Sequence, residues 1–150
     1  MLMSESVEIG EMFRQAMRDR FGEAALAERY RAFDTICSAT QDRQDAVIRL
    51  LAETPIDLMV VIGGYNSSNT CNLAHICADH VPTFHIADPS CLVSAGTIRH
   101  KPVGGSGEIT TDGWLPPSGP LRVGLTSGAS TPDNLVERVV RTLDAFANPD

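Results

Sequence analysis

The chain has almost no lysine. Its 150 residues hold eleven arginines and one lysine against 19 aspartates and glutamates, for a formal charge of −7. These cations are scattered along the sequence, which excludes the clustered basic surface that nucleic-acid binding needs. No apolar run approaches the roughly 20 residues of a bilayer span, so no membrane partner is expected. The opening Met1-Leu2-Met3-Ser4-Glu5-Ser6 turns acidic at once and does not read as a secretory signal, which makes a cytoplasmic location the expectation. The four cysteines, Cys37, Cys71, Cys77 and Cys91, are therefore expected as reduced thiols or metal ligands and not as a disulfide framework. A Walker phosphate loop is also missing, because no Gly-Lys-Ser/Thr follows any strand-like run.

What is present suits a folded domain. Hydrophobic residues make up 43% and charged residues 21%, enough for a core and too little charge for disorder. Residues 5–20 have the periodicity of an amphipathic helix, with Ile9, Met12, Phe13, Ala16 and Met17 on one stripe and Ser4 as its N-cap. A short helix is expected at 23–32, and another from an N-cap at Thr40 to Glu53, with Ala46, Val47, Leu50 and Leu51 inward. The run at 57–62 reads as a strand covered on both faces. A helix at 68–79 and a weaker strand at 83–87 follow. Residues 88–120 are rich in glycine and proline and read as loop. Leu121–Leu125 is the last expected strand, and Pro132 opens a final helix that buries Leu135, Val136, Val139, Val140 and Leu143. Alternating strands and helices predict an α/β layer structure with a mainly parallel sheet flanked by helices. Three good strands are few for a self-contained doubly wound domain.

Two loops share one design. Ile62-Gly63-Gly64-Tyr65-Asn66-Ser67-Ser68-Asn69-Thr70 and Thr126-Ser127-Gly128-Ala129-Ser130-Thr131 each lead from an apolar strand, through small polar residues, into a helix N-terminus. Helix N-termini offer unused N–H groups and a favourable dipole for anions. In an open α/β sheet, ligands sit beyond the carboxyl ends of the strands. Ser67, Ser68, Asn69 and Ser130 would add neutral donors, and a phosphate or diphosphate fits the pair best. The alternative is that these residues are ordinary caps and turn formers. Residues 128–132 make no nucleophile elbow, since proline stands where the second glycine belongs.

Cys71, His75, Cys77 and His80 suggest zinc by composition, but helical spacing puts the first two and the last two on opposite sides of one helix. Cys77 is expected in the core beside Leu73 and Ile76, and His85, alternating with Phe84 and Ile86, is expected to be partly exposed. Cys37 lies in a polar connection ahead of a helix N-terminus, a position that suits a thiolate ligand or nucleophile. A structural cysteine is the competing reading there.

Three stretches, Asp34–Val47 (DTICSATQDRQDAV), Asp57–Thr70 (DLMVVIGGYNSSNT) and Val123–Val140 (VGLTSGASTPDNLVERVV), resemble the 4-hydroxy-3-methylbut-2-enyl diphosphate reductase family in order and spacing. The leading helix and the segment around Trp114 are similar to its cyanobacterial and plastid form. The resemblance implies a three-lobed α/β fold around a 4Fe-4S cluster and a reductive dehydroxylation of an allylic diphosphate to isopentenyl and dimethylallyl diphosphate. It also implies a ferredoxin- or flavodoxin-type electron donor. Residue by residue, it implies Cys37 as a cluster ligand and Ser67, Ser68, Asn69 and Ser130 as diphosphate ligands. Residues 1–33 would be a helical segment of a preceding lobe, and 34–150 the C-terminal lobe. The family's other cluster cysteines, its diphosphate-binding histidines and its proton-donating glutamate match nothing here, so no catalytic residue is expected in this chain and a missing N-terminal half is an expected partner. A non-catalytic diphosphate-binding module is the alternative.

Overall fold

The structure, a computed structural model, describes residues 3–32, 38–116 and 119–148. Cys37 lies outside them. Two compact units divide the chain, Met1–Gln41 and Asp42–Asp150.

The first unit holds α1 (Met3–Phe21) and α2 (Glu23–Arg29). Gly22, with φ 79°, makes the turn between them, a backbone region open to glycine and costly for other residues. The Tyr30 hydroxyl donates to the Gly10 carbonyl at 2.6 Å, and the Arg29 guanidinium stacks over the Phe21 ring at 4.8 Å. The apolar stripe expected on the first helix exists, but Met12 and Phe13 are 67% and 62% exposed.

The second unit is built on a three-stranded parallel sheet in the order β2-β1-β5. Its strands are β1 (Leu58–Ile62), β2 (Thr83–Ile86) and β5 (Val123–Ser127). All five residues of β1 are buried, as expected for a central parallel strand. Alternation divides them. Leu58, Val60 and Ile62 enter one core with Ile86, Ile98, Trp114 and Val139, while Met59 and Val61 enter another with Val47, Leu73, Ala74 and Cys77. Thus α5 (Asp133–Ala147) covers one face through Val136, Val139 and Leu143. The other face lies under α4 (Ser68–Ala78) and the part of α3 (Ser38–Glu53) that carries Val47 and Leu51. Parallel strands joined through helices on both faces give the expected α/β layering.

Several expectations change. The stretch 88–120 contains a 3-10 turn at Pro89–Cys91 and an antiparallel hairpin of β3 (Thr97–His100) and β4 (Ile109–Asp112). Strand β4 is almost wholly exposed, so it carries no apolar alternation to read. The last strand ends two residues later than expected because Thr126 and Ser127 pair with Val61 and Ile62. Thr40 lies inside α3 and is not its cap, Ala46 is exposed, and Pro132 is the cap residue before α5. His85 is 2% exposed, not partly exposed, because its ring is covered from the loop above it. No helix among the described residues is long and apolar enough to cross a membrane.

Candidate functional site

The two polar loops meet. Strands β1 and β5 are adjacent, parallel and in register, with Ile62 opposite Ser127, so both chains leave the sheet at the same edge. Beyond that edge they interlock through backbone and threonines. The Gly128 amide donates to the Ile62 carbonyl at 3.0 Å, and the Thr131 hydroxyl donates to the same carbonyl at 3.0 Å. Thr70 is 1% exposed. Its hydroxyl lies against Gly128, where an added β-carbon would collide with it, and a β-carbon on Gly63 would meet the Thr131 hydroxyl at 2.9 Å and crowd Thr70 as well. Only a missing side chain lets the loops approach this closely, which explains two of the glycines.

Ser67 is the N-cap of α4. Its Oγ accepts from the Thr70 amide at 3.3 Å and from the Thr70 hydroxyl at 3.0 Å. The capping reading is therefore correct for this residue, and it does not exhaust it. Both contacts use the oxygen as acceptor, and a hydroxyl keeps one proton to donate outward. Ser68 and Asn69 begin α4, Ser68 exposed and Asn69 half-buried, and Ser130 is exposed in the second loop. Ser67, Ser68, Asn69 and Ser130 thus belong to two interlocked loops at one sheet edge. Cys37 cannot be related to them, since it lies outside the described residues.

The first loop is braced by residues that sequence reasoning passed over. The Tyr65 phenol donates to Glu108 at 2.8 Å, and burial first, then that hydrogen bond, pushes its pKa up so that it stays a donor. Its ring meets His85 edge-on at 5.1 Å. The Tyr65 carbonyl accepts from Lys101 at 2.9 Å. This is the chain's single lysine, and its singularity was the available sequence signal. His85 reaches the Gly63 carbonyl through Nε2 at 2.9 Å. A carbonyl only accepts, so Nε2 carries the proton. Burial lowers the His85 pKa against the opposing pull of the Gly63 hydrogen bond, and the Lys101 charge adds a smaller lowering. Cys71, His75, His85 and Lys101 line a cavity of about 120 Å³ behind this loop.

The described cysteines do not form a metal centre. Cys77 is sealed in the core, where burial pushes its thiol up to about 12. Cys71 donates to the Tyr65 carbonyl at 3.3 Å, and Cys91 is buried near Glu108. No group of three or more potential metal ligands occurs among the described residues. These three described thiols do not supply the ligand set of an iron–sulfur cluster.

Comparison with known proteins agrees with the motifs. A family model described as LytB protein matches residues 2–144. The 4-hydroxy-3-methylbut-2-enyl diphosphate reductase of Synechococcus sp. (strain CC9311) is 49% identical over 148 residues, covering 98% of this chain and 36% of that protein. The protein of the same name from Gloeobacter violaceus is 48% identical over 141 residues, covering 93% and 33%. A solved structure of (E)-4-hydroxy-3-methyl-but-2-enyl diphosphate reductase, described as the terminal enzyme of the non-mevalonate pathway, superposes with a TM-score of 0.54 at 29% identity over 89% of this chain. The chain spans about a third of the length of the relatives it matches. It belongs to the LytB protein family.

Proposed function

We propose that the chain is the C-terminal portion of a 4-hydroxy-3-methylbut-2-enyl diphosphate reductase and holds the diphosphate of the allylic substrate between its two polar loops. In the complete enzyme, the reaction is a two-electron, two-proton removal of the allylic hydroxyl that yields isopentenyl and dimethylallyl diphosphate. A ferredoxin- or flavodoxin-type protein would supply the electrons. When bound, a 4Fe-4S cluster supplies electron transfer and a Lewis-acidic iron. This chain's share of its ligands is Cys37, and the N-terminal part of the enzyme brings the rest. Residues 1–33 belong with a preceding lobe and 34–150 form the C-terminal one.

The task of this chain is positioning. Fixing the diphosphate orients the far end of the substrate and removes freedom that the reaction would otherwise have to lose. The observation that supports this reading is the register of Ile62 with Ser127, together with the Thr70–Gly128 and Thr131–Ile62 contacts that hold the loops as one body. Calorimetric titration with inorganic diphosphate tests it. Ser130→Ala and Asn69→Ala are expected each to weaken binding on the order of tenfold, the usual worth of a hydrogen bond to a charged group. Unchanged affinity in both variants would refute the cradle.

A further inference from the structure

We infer that Arg43 is a positioning residue of the diphosphate cradle and brings positive charge to its second loop. The inference rests on the diphosphate reading above and extends it to a residue outside both polar loops.

The four assigned cradle side chains are all neutral, and the chain carries a net charge of −7. A doubly or triply charged anion approaching this protein meets a repulsive field unless a local cation offsets it. Helix α3 brings one. The half-buried Arg43 donates through Nη1 to the Ser127 carbonyl at 3.1 Å and to the Ser127 Oγ at 2.9 Å, across 84 positions of sequence. Both acceptors are neutral, so these contacts bring a guanidinium to the loop without setting a carboxylate against it.

The geometry gives Arg43 a second task. The Ser127 carbonyl and the Gly128 amide are the two polar groups of one peptide plane. Arg43 holds the carbonyl, and the Ile62 carbonyl holds the amide. With both ends fixed, the plane cannot flip. The turn that follows, closed by the Thr131 amide on the Gly128 carbonyl at 2.9 Å, then starts in one direction and carries Ser130 with it. Without Arg43, a nearly buried carbonyl loses its donor, Ser127 being 6% exposed, and the plane is held at one end only. A lysine would restore charge but not the planar fork.

The test measures the affinity of the full chain for inorganic diphosphate at several salt concentrations, in the wild type and in Arg43→Met, Arg43→Lys and Arg43→Gln, with thermal melts to verify folding. Arg43→Met is expected to weaken binding on the order of tenfold or more and to flatten the dependence of affinity on salt, because a charged contact is screened and a neutral one is not. Arg43→Lys should keep the salt dependence with intermediate affinity. If Arg43→Met does not fold, Arg43→Lys and Arg43→Gln decide: a steeper salt dependence in Lys supports the inference, and identical curves overturn it. If Arg43→Met matches the wild type in affinity and slope while Asn69→Ala loses binding, the cradle stands and the role of Arg43 is refuted. If the wild type binds no diphosphate, the cradle reading fails and the inference with it.

Discussion

Helix α1 and strand β1 are both apolar by pattern, yet they end in opposite environments. Every residue of β1 is at most 4% exposed, whereas Val7, Met12 and Phe13 on α1 are 60% exposed or more. Periodicity states which face of an element is apolar; it does not state that this chain supplies the cover. The strand finds cover on both sides from helices coded nearby, while the apolar stripe of α1 stays open among the described residues. The two units thus differ in how far each covers its own apolar faces among the described residues.

Truncation should separate the two regions most sharply. Ile62→Ala removes a fully buried side chain and is expected to cost about 2–5 kcal/mol in chemical denaturation. Phe13→Ala should stay within roughly 0.5 kcal/mol, as surface changes do. A comparable loss in Phe13→Ala would mean that the stripe of α1 is covered in solution, and the contrast would break.

The loop junction comes next in size. Gly128→Ala drives a methyl group into the Thr70 hydroxyl, at a cost of about 1–3 kcal/mol of overpacking. Denaturation of Gly128→Ala with and without Thr70→Ser should show little relief, because serine keeps the offending oxygen. Ser67→Ala removes the cap of α4 and should cost about 1 kcal/mol. A neutral result would show that the cap is replaced by solvent.

The pH dependence is smaller and has a definite sign. Burial lowers the pKa of both His85 and His100. As pH falls below the ordinary histidine value of about 6.5, the unfolded chain takes up protons that the folded one refuses, so stability is lost with acidification. Melting temperatures should fall from pH 7 to pH 5, and less so in His85→Gln. Identical profiles would exclude His85 from that loss.

Much of the sheet was legible in the sequence because β1 and the α5 stripe are long and regular. Cys77 was legible as core for the same reason. The hairpin escaped notice because β4 points mostly polar residues at solvent, and the ends of β5 were misplaced because Thr126 and Ser127 look like loop residues until their partners are known. The two polar loops could be read from composition, since short polar side chains were crowded after two strands. The residues that hold those loops could not. Thr70 acts through a contact with Gly128, Tyr65 through Glu108, and Arg43 through Ser127. Each pair joins distant positions, and no local pattern announces it.

The central claim is that both loops close on one anion, and backbone amide NMR during titration with inorganic diphosphate tests it most directly. The expected result is that the amides of Ser67, Ser68, Asn69 and Ser130 shift together with a single affinity, while those of α1 stay still. Shifts confined to one loop, or two loops titrating with different affinities, would contradict it.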